Sequence, residues 1–92
     1  MRTNRETVVG LAWFRPDQWQ RLRDISADCD LLELTHSGWE RIATRTLKRL
    51  RRSGVNVKKV AIDVEELFRW CTETNRPVNG EARAEFASLK LE

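Results

Sequence analysis

"VVGLAWFRPDQW", residues 8–19, decides the first half of the fold because it joins a strand pattern directly to a helix start. Apolar side chains fill both alternating faces of Val8–Phe14, which predicts a strand covered on both sides. Arg15 precedes a proline, is therefore restricted to extended backbone, and ends the strand. Pro16 suits the first position of a helix, and apolar residues at helical spacing carry that helix to the region of Asp28.

The second predicted helix has two possible starts, because both "DLLE" (residues 30–33) and "SGWE" (residues 37–40) match the capping-box pattern. We favour the earlier start at Asp30, which places Leu31 and Leu34 on the apolar stripe of this helix. Gly54 can adopt the left-handed conformation that ends a helix. The pattern therefore predicts one long helix that ends at Ser53-Gly54.

The second strand is predicted at Val55–Ile62, where apolar residues alternate on either side of Lys58 and Lys59. The two adjacent lysines interrupt this alternation. The interruption indicates either a bulge or an exposed edge of the sheet.

Two more helices follow the second strand. In "IDVEEL", residues 62–67, Asp63 is a helix cap with a glutamate three residues later, which is the sharpest local signal in the chain. Asn75, followed closely by a proline, ends this third helix. Asn79 caps a fourth helix, whose predicted buried line is Ala82, Phe86 and Leu89.

The element order is therefore β–α–α–β–α–α. Two helices between the strands reverse the chain twice, so we expect the second strand to run antiparallel to the first. The predicted fold is an α+β domain over residues 7–92, with a two-stranded antiparallel sheet, four helices and a flexible N-terminal tail at residues 1–6. Because a lone two-stranded sheet is marginally stable in water, we expect a homodimer that extends or covers the sheet.

The composition limits the classes of protein to which this chain can belong. With 92 residues, 40% of them hydrophobic, the chain can build one small core, and it has no apolar run suited to a bilayer span or a secretion signal. Cys29 and Cys71 form no CxxC pair, so we expect reduced cysteines and a cytoplasmic protein. A single histidine supplies a zinc site poorly, and we expect no metal and no cofactor.

The basic run is the most distinctive charge feature. From Arg41 to Ile62 the chain carries eight cations and no acid. Clustered Lys and Arg are what phosphate recognition needs, but a solvated helix face, a face paired with acids elsewhere in the chain, and a surface for an acidic protein would give the same pattern. The candidate phosphate or partner contacts are Arg45, Lys48, Arg49, Arg52, Lys58 and Lys59.

Aromatic and loop residues suggest a second candidate surface. Trp19 and Trp39 lie on apolar helix stripes and are expected in the core. Trp70 falls off the apolar line of its helix and is a candidate interface residue, since tryptophan is enriched at interfaces. Arg76 lies in the polar connection "NRPVNG", residues 75–80, and is either a presented cation or part of a purely structural turn.

No catalytic constellation is visible in the sequence. His36 has neighbouring hydroxyl residues but no carboxylate placed to complete a triad, so we interpret it as a surface histidine. The scattered glycines form no phosphate-binding loop. We therefore expect no catalytic residues.

Two segments resemble a family of small uncharacterised bacterial proteins. They are "AWFRPDQW" (residues 12–19) and "NRPVNGEARAEF" (residues 75–86). The family shares a Trp/Tyr-Arg-Pro-acid-Gln-Trp opening and an Arg-Pro-hydrophobic-Asn-Gly close. The resemblance spans nearly the whole chain and implies a stand-alone bacterial protein, with no activity to transfer.

These observations lead to an ordered set of functional hypotheses. The first is a non-catalytic interaction or regulatory module that is dimeric and binds another macromolecule. The alternative is a nucleic-acid-binding protein that uses the basic segment at residues 41–59. An enzyme is the third, and it requires a pocket built from residues that the sequence assigns to helix caps.

Overall fold

The computed structural model describes residues 7–91. The predicted tail at residues 1–6 and the final residue lie outside this part of the chain. The described residues form an α+β fold of four α-helices and one two-stranded sheet. The elements are β1 (Val9–Trp13), α1 (Trp19–Ile25), α2 (His36–Arg52), β2 (Val57–Ala61), α3 (Val64–Glu73) and α4 (Gly80–Lys90).

The sheet is parallel, so the predicted antiparallel sheet was wrong. Val9 pairs with Val57 and Trp13 with Ala61, with both strands running in the same direction. The prediction counted α1 as a full return along the sheet. In the structure α2 alone makes that return, since it starts beside the end of β1, where His36 contacts the Phe14 carbonyl, and ends beside the start of β2. The chain is therefore a strand–helix–strand crossover with α1 inserted before the crossover helix.

The start of α2 was also predicted wrongly. Thr35 caps α2 by accepting a hydrogen bond from the Gly38 N–H at 3.1 Å, so the helix begins several residues after Asp30. The preceding segment holds only a short 3₁₀ turn at Cys29–Leu31. Leu31 and Leu34 lie outside α2 and are 78% and 76% exposed, rather than widening its buried stripe.

The first helix differs from the prediction at both ends, because Pro16–Gln18 form a 3₁₀ turn and α1 spans only Trp19–Ile25, short of Asp28. The boundaries of α3 and α4 and the end of α2 follow the predicted signals. Asp63 caps α3 by accepting from two backbone N–H groups, and Asn79 caps α4 by accepting from the Ala82 N–H. Gly54 follows α2 with φ 93°, and Asn75 follows α3 with φ 58°. Both residues occupy the left-handed region that stops a helix. These signals act within one or two turns of chain, which is why the sequence alone located them.

Helices cover both faces of the sheet. On one face α4 lies close against β1, since a Cβ at Gly10 would come within 3.1 Å of the Ala87 carbonyl oxygen. On the other face α2 packs through Trp39, whose ring is 5.0 Å from that of Trp13.

The core contains Phe14, Trp19, Leu22, Val60, Ile62, Val64, Leu67, Cys71, Val78, Ala82, Phe86 and Ala87. Leu89 is 45% exposed, so its predicted place in the buried line of α4 was wrong, and Ala87 is buried there instead.

The strand pairing is continuous through the two lysines of β2. Lys58 pairs with Gly10 and Lys59 with Leu11 without an inserted residue, so the alternative of a bulge is excluded. Both lysines are exposed, which agrees with the alternative of an exposed edge.

Candidate functional site

The outward face of α2 carries a row of cations. Arg41, Arg45, Lys48 and Arg52 are spaced by four, three and four residues, which places them on one side of a helix. All four are exposed, while Ala43 and Leu47 on the opposite side are buried against the sheet. Arg49 and Arg51 flank the row and are also exposed. We call this set the α2 basic face: Arg41, Arg45, Lys48, Arg49, Arg51 and Arg52.

The α2 basic face has no acidic partner in the part of the chain that the structure describes. None of its six cations forms an ion pair with an acid of residues 7–91. Arg51 alone has an internal contact, because its guanidinium donates to the Val57 carbonyl at 3.2 Å. Pairing with acids of neighbouring helices was one explanation for the basic run, and within residues 7–91 this explanation is excluded.

A shallow depression of about 460 Å³ lies on the same side of α2. Cations and hydroxyl groups line most of it, and Glu40 is its single acid. Glu40 lies 4.0 Å from His36 Nδ1. Because guanidinium, ammonium and hydroxyl groups all donate hydrogen bonds, the depression matches oxyanions such as phosphate. Its lining residues are Ser37, Glu40, Arg41, Thr44, Arg45 and Lys48.

The structure divides the six candidate contacts between three places. Arg45, Lys48, Arg49 and Arg52 lie together on the α2 basic face. The β2 lysines point to opposite faces of the sheet, because side chains alternate along a strand. Helical spacing in the sequence places the four α2 cations together, and strand alternation separates Lys58 from Lys59.

Lys59 belongs to a different surface from the α2 basic face. Its Nζ lies 4.3 Å from the centre of the Trp13 ring, a cation–π contact. It also lines a depression of about 550 Å³ at the carboxyl ends of the two strands, together with Arg15 and Lys90. Lys90 is 3.0 Å from Glu66, and Arg15 is 3.0 Å from Asp17, so most of the charge at this end is neutralised locally.

Cations outside the basic segment are mostly paired. Arg83 forms two hydrogen bonds with Asp28, at 3.0 and 2.8 Å, and the two side chains are only 12% and 19% exposed. The hydrogen bond from Arg83 lowers the pKa of Asp28 below its usual value. Arg21 pairs with Glu65 at 2.7 Å on the surface and lowers the pKa of that carboxyl as well. These pairs join separate elements of the fold: α4 to the segment after α1, and α1 to α3.

His36 is part of the packing, so its interpretation as a surface histidine was wrong. Its side chain is 11% exposed, and its Nε2 donates to the Phe14 carbonyl over 2.6 Å. The ring packs against the stacked rings of Trp19 and Trp39, at 5.9 and 5.1 Å from their ring centres. His36 therefore fixes the start of α2 against the end of β1. The sequence did not reveal this role because it depends on where the chain returns after α1.

The candidate interface residues Trp70 and Arg76 contact each other. The Arg76 guanidinium lies 4.7 Å from the centre of the Trp70 ring and also pairs with Glu85 at 2.6 Å. Trp70 is half-buried, with its ring 5.2 Å from that of Phe86. Both side chains thus hold α3 to α4, and a role in an interface stays a prediction.

The cysteines are free thiols with different surroundings. Cys71 is buried, and burial raises the pKa of its thiol, which disfavours the reactive thiolate. Cys29 is half-buried. Among the described residues, no group of three or more His, Cys, Asp and Glu side chains is placed to hold a metal ion.

Comparisons with models of known protein families, with curated proteins and with solved structures give no match for this chain. The resemblance carried by "AWFRPDQW" and "NRPVNGEARAEF" therefore stays an expectation. None of the helices between residues 7 and 91 combines the length and the apolar character needed to cross a membrane.

Proposed function

We propose that the protein is a non-catalytic module that binds nucleic acid through the α2 basic face and acts as a homodimer. The observation that carries the proposal is that the exposed cations of this face lack acidic partners within residues 7–91. Such cations can neutralise phosphates and release condensed counterions, which supplies most of the non-specific affinity for nucleic acid.

The dimensions of the row support a nucleic-acid backbone as the ligand. From Arg41 to Arg52 the helix rises about 16 Å, at about 1.5 Å per residue. A row of this length can contact several phosphates of one strand. Four cations along this line provide charge at a density similar to that of the backbone.

An acidic protein partner receives less support from the same surface. Protein interfaces depend on apolar or aromatic anchors near their centre, with charge at the rim. Exposed apolar side chains, Leu31, Leu34 and Ile42, lie beside Arg41 and Arg45 at one end of the row. The row itself continues from there to Lys48 and Arg52 as cations only. A uniform charge is better suited to a repeating polyanion.

Binding without catalysis, and a cytoplasmic location, complete the proposal. Side chains of types that catalysis can use have structural contacts: His36 holds α2, Asp63 caps α3, and Cys71 is buried in the core. Two free cysteines fit a reducing compartment.

Binding to random-sequence duplex and single-stranded DNA tests the proposal. Fluorescence anisotropy with labelled oligonucleotides of about two helical turns is measured at about 50 mM and about 200 mM salt. For about four neutralised phosphates we expect the affinity to fall roughly 10²-fold between these conditions. Absent binding, or affinity that does not change with salt, would contradict a role for the α2 basic face in nucleic-acid recognition.

A further inference from the structure

The strand β1 has one edge whose backbone groups form no hydrogen bond with residues 7–91. The Val9 N–H donates to the Asn56 carbonyl at 2.9 Å, and the Trp13 carbonyl accepts from the Ile62 N–H at 3.0 Å. With this parallel register, the residues of β1 that bond to β2 are Val9, Leu11 and Trp13. The N–H and C=O groups of Gly10 and Ala12 therefore point away from β2, and no other described residue bonds to them.

A groove of about 240 Å³ runs along this free edge. One wall lies on the α2 side of the sheet and is formed by Leu32 and Trp39. The other lies on the α4 side and is formed by Gly80, Arg83 and Ala84. The edge is thus open to solvent between two layers of helix and is not closed by either of them.

The free edge of β2 differs from that of β1. Arg51 donates to the Val57 carbonyl there, and both Lys58 and Lys59 are exposed. Lysines on an edge strand are a common protection against pairing with another chain. The sequence of β1, "VGLAW", contains neither charge nor proline. Only one of the two edges therefore lacks the usual protection.

We propose that the free edge of β1 pairs antiparallel with β1 of a second copy, about a two-fold axis at Leu11. This inference rests on the proposed homodimer and goes beyond it by naming the strand and the register. In this register Gly10 of each copy exchanges two backbone hydrogen bonds with Ala12 of the other. The result is one four-stranded sheet in the order β2–β1–β1–β2.

The side chains along the groove fit a second copy of the same strand. Leu11 points to the α2 side, like Trp13, so the Leu11 of the second copy meets the apolar wall of Leu32 and Trp39. Gly10 and Ala12 point to the α4 side, where Gly80 and Ala84 leave space and the Arg83 side chain is held by Asp28. About the two-fold axis at Leu11, each free N–H of one copy faces a free C=O of the other. A second copy of β1 can therefore satisfy the edge, and no strand of a different protein is needed. Two added strands also relieve the marginal stability of a two-stranded sheet.

A matched pair of proline variants tests the strand assignment. Ala12→Pro removes an N–H on the free edge of β1, while Ala61→Pro removes the equivalent outward N–H on the edge of β2. We expect light scattering at tens of micromolar to give twice the protomer mass of 10.8 kDa for the unchanged protein and for Ala61→Pro. Ala12→Pro should give the protomer mass, with an unchanged circular dichroism spectrum.

A cysteine variant decides the question if Ala12→Pro fails to fold. Facing Leu11 residues form a non-hydrogen-bonded antiparallel pair with Cα atoms about 4.5 Å apart, which a disulfide can bridge. Leu11→Cys in a Cys29→Ser background should therefore form a disulfide-linked dimer on mild oxidation, and Ala61→Cys in the same background should not. If the unchanged protein is monomeric, both the homodimer and the strand assignment fail. If it is dimeric but Leu11→Cys forms no crosslink, the strand assignment alone fails.

Discussion

Most cations of residues 7–91 fall into two groups with different surroundings. Arg15, Arg21, Arg76, Arg83 and Lys90 each form an ion pair, and most of these pairs join one element of the fold to another. The cations from Arg41 to Lys59 form none with the described acids. Acids are not in short supply, because Asp30, Glu33, Glu73 and Glu81 also lack ion pairs within residues 7–91. The two groups therefore differ in their partners: the first is paired with acids of the fold, and the second faces solvent without an acidic partner among residues 7–91.

Neutralising the α2 basic face has the largest expected effect. We expect the triple variant R45Q/K48Q/R52Q to lose roughly 10²- to 10³-fold in affinity for duplex DNA at low salt, because it removes three phosphate contacts. The measurement is fluorescence anisotropy at about 50 mM salt.

The control is the triple variant R15Q/R21Q/R69Q, which changes the net charge by the same amount outside that face. We expect it to lose at most about tenfold, through the weaker overall field. Equal losses in the two triple variants would show that net charge, and not the α2 basic face, determines binding.

The Asp28–Arg83 pair tests the stabilising group. Asp28→Asn leaves Arg83 nearly buried without its carboxylate, so we expect a loss of about 2–3 kcal/mol in the free energy of unfolding. Urea unfolding measures this loss. Asp30→Asn is the matched control, since Asp30 is exposed and forms no ion pair within residues 7–91, and it should change stability by less than about 0.5 kcal/mol. Affinity for DNA should be unchanged in both variants.

The same pair predicts how stability depends on pH. Because Arg83 lowers the pKa of Asp28 in the folded state, its contribution is complete above the unfolded pKa of about 3.9. The contribution is lost as the pH falls through the lower, folded pKa. The difference in unfolding free energy between the unchanged protein and Asp28→Asn should therefore shrink as the pH is lowered from about 5 to about 2. A difference that stays constant over this range would mean that the carboxylate charge does not stabilise the fold.

Like-charge repulsion on α2 gives the smallest expected effect. Arg41 and Arg45, and Lys48 and Arg52, are like-charged pairs four residues apart, which destabilise a helix by about 0.2–0.5 kcal/mol each. We expect R45Q/K48Q/R52Q to unfold at slightly higher urea at low salt, by about 0.5 kcal/mol, and this gain should disappear at high salt. A loss of stability in this variant would assign these cations to the fold instead of to a ligand.

The sequence located those parts of the fold that depend on local signals. The caps at Asp63 and Asn79 and the left-handed residues Gly54 and Asn75 were predicted because each acts within one or two turns of chain. The direction of β2 was predicted wrongly because it depends on where the end of α1 lies relative to the sheet. The sequence offered capping boxes at Asp30 and Ser37, but the residue that caps α2 is Thr35, which neither pattern identified.

The sequence predicted which cations of the candidate site share a helix face, but not which of them lack acidic partners. Helical spacing placed Arg45, Lys48 and Arg52 on one face, because three to four residues make one turn. The absence of ion pairs on that face depends on which elements approach it, and this information is not contained in spacing. The role of His36 was missed for the same reason, since the Phe14 carbonyl that it contacts is 22 residues away in the chain.

The salt dependence of DNA binding, compared between the unchanged protein and R45Q/K48Q/R52Q, tests the central claim most directly. A titration series gives the slope of log affinity against log salt concentration for each protein. If the cations of α2 neutralise phosphates, the slope of the triple variant should be shallower by about 2.7, or about 0.9 for each lost contact. Equal slopes for the two proteins would contradict the account.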